Sequence, residues 1–183
     1  MAYASLTLRD TYVNLRTAPY EPGELTDLDN NVYKLVTYFA NIPNSEIGNE
    51  PVEGFAAFSD DGTTATRGLA SHTLNNFKGF FAKKTFSDDR ANPDYISLSS
   101  NFPVPICARG RICVFAATPI FTRPTEPTYV ITAVPAGSKY LVGSLAQGTP
   151  PTGVTFLDIS SACRVKTGAA KPNNLVLVDI LIK

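Results

Sequence analysis

At 183 residues the chain suits one folded unit around a single core, and no long polar linker divides it. Sixteen basic and sixteen acidic residues cancel, which leaves no global field to hold nucleic acid or an anionic membrane. The hydrophobic share of 44% is that of a folded protein, while charged residues are only 17%, which predicts a surface partly covered by neighbours.

The chain opens with a candidate strand, Tyr3 to Leu8, in a stretch that lacks the basic and apolar regions of a secretory signal. No apolar run approaches the roughly 18 residues of a membrane helix. The expectation is a protein made soluble in the cytoplasm. Thr11 to Asn31 then contains Ala18-Pro19-Tyr20-Glu21-Pro22-Gly23-Glu24-Leu25-Thr26-Asp27, where two prolines and a glycine oppose regular structure and tyrosine and leucine supply anchors. Two readings stand here: a long surface loop, or an arm that lies on another subunit, since extended proline-containing segments lose little entropy on docking. Residues 1–31 are therefore read as an extended arm and loop, and 32–183 as a single β-rich domain. Asp27-Leu28-Asp29-Asn30-Asn31 begins like a calcium loop, but Val32 stands where glycine and Tyr38 where glutamate should be.

Prolines and glycines recur so often that strands of five to eight residues fit between them better than helices. The candidates are Val32 to Ile42, Val52 to Phe58, Phe77 to Lys84, Tyr95 to Leu98, Val104 to Cys107, Ile112 to Thr118, Thr128 to Val134, Tyr140 to Ser144, Val154 to Asp158, Ala162 to Thr167 and Leu175 to Ile182. Ser59-Asp60-Asp61-Gly62-Thr63 predicts a tight hairpin-type turn, because Asp-Gly tolerates positive φ. Ser71 to Asn76 suggests one capped helical turn, with His72, the chain's only histidine, as a surface or capping residue. Phe77, Phe80, Phe81 and Phe86 alternate with lysines as on a nucleic-acid face; in a neutral β domain they are read as core. Arg109-Gly110-Arg111 reads as a hairpin tip between two strands, either solvated or able to clamp a partner's carboxylates. Thr118 to Pro127, with three prolines, reads as an extended edge connection. Leu175 to Ile182 is apolar on both faces except for Asp179. That pattern predicts a strand covered on both sides, or buried against a partner, and with the low charge it predicts oligomerisation.

Chemistry is sparse in this pattern. Cys107, Cys113 and Cys163 are read as buried free thiols, although the first two could face each other across the Arg109-Gly110 turn. No metal-ligand spacing and no phosphate loop is present, the basic turn Lys166 to Lys171 lacking the required glycines. The carboxylates are scattered, so they neither support nor exclude a glycosidase pair. The fold class expected is all-β, a β-sandwich or barrel-like domain with an extended N-terminal arm. No catalytic residue, metal or cofactor is assigned. A small hydrolase pairing one of the cysteines with His72 is the enzyme rival.

The order of features resembles a family of tailed-bacteriophage proteins, the structural cement or capsid decoration proteins. The resemblance is carried by the arm Pro19 to Asp29, then Pro51-Val52-Glu53-Gly54-Phe55, then Gly110-Arg111-Ile112-Cys113-Val114, and finally Ser160-Ser161-Ala162-Cys163 before Leu175-Val176-Leu177-Val178-Asp179-Ile180. The bulky apolar segment Val32 to Ile42 and the insertion-like Arg123-Pro124-Thr125-Glu126-Pro127 depart from it. The resemblance implies a homotrimer on the outer surface of a virion head that bridges major capsid protein subunits, with no reaction, no nucleic acid and no membrane. With such a partner the expected capsid contacts are the apolar anchors of the arm, Tyr3, Tyr12, Leu15, Tyr20 and Leu25, and the guanidinium groups of Arg109 and Arg111. The rival binding module is a β-sandwich of a tail fibre that recognises a receptor or carbohydrate, which should expose clustered aromatics on one face.

Overall fold

The structure is a computed structural model and describes residues 22–25, 34–41, 53–83, 103–120, 126–149, 151–168 and 175–182. Among these residues there are strands and turns and no helix, as the spacing of prolines and glycines predicts. The strands are β1 (Lys34–Ala40), β2 (Ala56–Phe58), β3 (Thr64–Ala65), β4 (Phe77–Phe81), β5 (Pro103–Phe115), β6 (Thr128–Ala133), β7 (Leu145–Gln147), β8 (Thr155–Asp158), β9 (Cys163–Val165) and β10 (Leu175–Leu181). Tyr3 to Leu8, Tyr95 to Leu98 and Phe86 lie outside the described residues.

The larger sheet runs β2-β4-β5-β1-β3, with β10 added to β5 and β9 to β10. Its two ends meet: Phe58 in β2 and Thr66 beyond β3 exchange both backbone hydrogen bonds, each 2.8 Å. This bridge closes the path into a small barrel. The Ser59 to Thr63 turn makes the closure possible. Asp61 Oδ1 accepts the N–H groups of Thr63 (2.8 Å) and Thr64 (2.7 Å), and Gly62 takes φ 75°. Those bonds, from Thr64 first and then Thr63, hold the Asp61 carboxyl well below the usual range.

The sequence suggests two strands around a tip at Arg109-Gly110-Arg111; the structure has one strand of 13 residues. Its first half pairs with β1, from Lys34↔Arg109 to Phe39↔Pro103, and with β4 through Phe80↔Cys107 and Phe81↔Ile106. Its second half pairs with β10, from Leu181↔Arg109 to Leu175↔Phe115. Glycine and two arginines resemble a turn locally, but partners along the whole length keep the chain extended. Cys107 and Cys113 are therefore six residues apart on one strand and do not face each other across a turn. The irregularity the glycine does mark is a bulge: Lys34 pairs with Arg109 but Leu35 with Cys107, leaving Ala108 as an extra residue.

That bulge exchanges the two faces of β5. Val104 and Ile106 pack with Ala57, Phe81, Ala40 and Ala65 in one apolar cluster, with Phe115 returning to it at the far end. Cys107, Ile112 and Val114 pack in the other, with Phe58, Phe77 and Phe80 of the barrel and Val176, Val178 and Ile180 of β10. Phe77, Phe80 and Phe81 are thus core residues, as read from the sequence. The inward-facing half of Leu175 to Ile182 is buried as well.

The smaller sheet, β7-β6-β8, adds Val130 and Leu145 to the larger cluster. It joins the end of β5 through the Ala116↔Leu145 bridge. Tyr140 to Ser144, expected as a strand, is a turn, because the N–H of Gly143 and the carbonyl of Ser144 both bond to Ile131 and the chain is spent on a reversal. The strand follows it, at Leu145–Gln147.

Candidate functional site

Of the residues expected at a capsid contact, Tyr3, Tyr12, Leu15 and Tyr20 lie outside the described residues. Leu25 is half-buried against this chain's own core and bridges to Ile112. The segment carrying it joins the sheet: the Gly23 N–H donates to the Cys113 carbonyl (2.9 Å), the Cys113 N–H to the Glu24 carbonyl (3.0 Å), and the Lys83 N–H to the Gly23 carbonyl (2.8 Å). Proline and glycine were expected to bar this stretch from a sheet. Instead Gly23, at φ 74°, turns the chain so that two residues lie along β5.

Arg109 and Arg111 share one face of β5, two residues apart. Arg109 is exposed. Arg111 grips Asp179, its cross-strand partner on β10, with Nε to Oδ1 at 2.7 Å and Nη2 to Oδ2 at 3.3 Å. Lys166 Nζ reaches the same carboxylate, 3.0 Å from Oδ2. Partial burial pushes the Asp179 carboxyl up, but the hydrogen bonds from Arg111 and Lys166 and their charges outweigh it and hold the carboxyl below its usual range. The clamp foreseen for a partner's carboxylate is closed, at Arg111, on one from this chain. A lone aspartate inside an apolar strand is the sequence signal for such a clamp, since a desolvated charge needs partners; the sequence did not say which cations they were.

A pH dependence follows. Because the folded-state pKa of Asp179 is depressed, its contribution is fully present above its unfolded value and is lost as pH falls through the folded one. Asp179→Asn should therefore lower stability by about 1 kcal/mol at neutral pH, the scale of a partly exposed charged hydrogen-bond pair. The gap to wild type should begin to narrow below about pH 4, where the carboxylate of the unfolded chain takes up its proton, and close as pH falls through the lower folded-state value. Urea unfolding of both proteins across that range measures it, and a gap that stays constant would separate the stabilisation from the charge.

His72 was expected at the surface or as a cap and is buried. Its ring stacks on Phe58 with centroids 4.9 Å apart, Nδ1 accepts the Leu69 N–H at 3.0 Å, and Nε2 lies 3.5 Å from Asp60. The imidazole closes a loop over the barrel wall, and the cap at this turn comes from Asn76, whose Oδ1 accepts the Thr73 N–H at 2.9 Å. The three cysteines are buried and free. Burial pushes the thiols of Cys107 and Cys113 up to about 12 and that of Cys163 higher still, which keeps them protonated and poor as nucleophiles. On the smaller sheet Tyr129 and Phe156 stand with ring centroids 5.0 Å apart and planes at 71°. Edge-to-face rings do not form the flat platform on which a sugar stacks.

A solved structure shares this architecture. The chain is similar to a chain of "The capsid of Myoviridae Phage XM1", with a TM-score of 0.56 and 17% identity over 87% of this chain and 89% of that one. No family model matches the sequence, and no curated protein matches it. The likeness is therefore one of fold, extending over most of both chains.

Proposed function

We propose that this chain is a structural protein of a phage head, and within that class a capsid cement protein: a homotrimer on the outer surface that bridges major capsid protein subunits. The observation that carries the reading is the fold shared with a phage capsid chain along nearly its full length. Two features support an interaction role. Leu35 and Phe39 stand on the same face of β1, 47% and 51% exposed, where large apolar side chains in solvent suit a protein contact. The second is that, among the described residues, the three thiols are buried and protonated and His72 is held by Leu69 and Phe58. The chain works by binding, without catalysis, cofactor, nucleic acid or membrane.

The test is to mix purified protein with phage heads that lack it and examine them by electron microscopy and by heating. Saturable binding at fixed positions on the outer surface, with heads that withstand a higher temperature, is the expected result. Closed shells formed by the protein alone would make it a shell-building subunit, and absence of binding would end the cement reading.

A further inference from the structure

Beyond the barrel, β5, β10 and β9 form a sheet with one face on the core; the opposite face is buried at Cys113 and Leu177 and open to solvent at its Arg109, Arg164 and Leu181 end. Ile112, Val114, Val176, Val178, Ile180 and Cys163 point inward. The period of two places their neighbours on the opposite face, and the register aligns them in cross-strand rows. One row is Arg111, Asp179 and Arg164; beside it Arg109 pairs with Lys34 of β1. Lys166 reaches into the first row through its ammonium group. Among the described residues five cations therefore gather around Asp179, with Glu24 alongside Cys113 as a second carboxylate of the face, in a chain whose total charge is zero.

Asp179 is a carboxylate already seated on this face. Arg111 and Lys166 are its partners, whereas Lys34, Arg109 and Arg164 are exposed and have no ionic partner among the described residues. We propose that this face is the docking surface for an acidic segment of a partner protein, with carboxylates seated on Arg109 and Arg164 as Asp179 is seated on Arg111. Guanidinium groups fixed on a strand suit planar carboxylates, which they bind with two parallel N–H bonds. Charge balance favours a short acidic segment over a nucleic acid. Setting aside the five cations and Asp179, the chain has eleven basic and fifteen acidic residues, so the rest of the surface is net negative. A polyanion longer than the patch would be repelled by that remainder, while a run of a few Asp or Glu residues places charge only where the cations are. Such docking needs no phage head and tests separately from the cement reading.

The test uses the full-length protein, isotopically labelled, in two-dimensional NMR at about 20 mM salt, where exposed charges are little screened. It is titrated with an octaglutamate peptide and, separately, with an oligothymidylate of equal length. Amide shifts confined to β5, β9 and β10 are expected with the peptide. Arg109→Glu with Arg164→Glu, both on exposed side chains, should weaken that binding by about tenfold or more, and Lys78→Glu with Lys139→Glu, elsewhere on the molecule, should not. Absence of shifts on this face, or equal affinity of the first double variant, overturns the proposal. Tighter binding of the oligothymidylate at the same amides also overturns it, by making the face one for nucleic acid.

Discussion

Gly79→Ala is expected to remove a large part of the stability of the chain. Gly79 lies in β4 with φ 126°, and a Cβ there would sit 2.0 Å from the Cys107 carbonyl oxygen, 2.8 Å from its carbon and 3.2 Å from the Ala108 Cα. All three are backbone atoms of β5. They cannot step aside, because β5 is tied to β1 and β10 and carries its bulge at Ala108. Overlap of that depth, added to an unfavourable φ, should remove more than about 4 kcal/mol of the roughly 5–15 kcal/mol that stabilises a domain. Gly62→Ala is the control: φ is 75°, yet nothing lies within 4 Å of the added carbon. Backbone strain alone should cost about 1–2 kcal/mol there. Urea unfolding of the two variants compares them, and similar losses would mean that the close approach of β4 to β5 is not what Gly79 provides.

Removing residues 2–25 should cost about 3 kcal/mol more than removing residues 2–21. The difference isolates the four residues from Pro22 to Leu25. Three backbone hydrogen bonds tie them to Cys113 and Lys83, each worth about 1 kcal/mol net, and half-burial of Leu25 adds about 1 kcal/mol before the cost of ordering the segment. Gly23→Val in the full-length chain should reproduce much of the loss without shortening it, since a Cβ at Gly23 would meet the Lys83 nitrogen at 2.7 Å and the Phe81 oxygen at 2.8 Å. Thermal unfolding of the truncated pair and of the valine variant gives the comparison. Equal stability of the two truncations would return Pro22 to Leu25 to the reading of a surface loop or an arm that lies on another subunit. The predicted loss would instead make Pro22 to Leu25 a part of the barrel wall.

The sequence by itself determined the class of the fold and much of its interior. Short apolar runs broken by proline and glycine leave strands as the available element; burial of every second residue accounts for Val176, Val178 and Ile180, and the tendency of aromatics in a neutral β domain to fill its core accounts for Phe77, Phe80 and Phe81. Asp-Gly at Asp61 and Gly62 likewise specifies its turn, through bonds that close within four residues. Tertiary structure decided what depends on partners distant along the chain. Arg109-Gly110-Arg111 has the local chemistry of a turn and is held straight by β1 and β10; Pro22 to Leu25 has the local chemistry of a loop and is held in the sheet by Cys113. The barrel closure between Phe58 and Thr66, the exchange of faces at Ala108 and the pairing of Asp179 with Arg111 and Lys166 are of the same kind. A strand's hydrogen bonds leave it sideways toward whichever edge meets it, and that edge is set by the path of the whole chain, not by the residues beside it in sequence. For the same reason two chains can share a fold at 17% identity: backbone pairing and buried alternation specify an architecture that no local motif encodes.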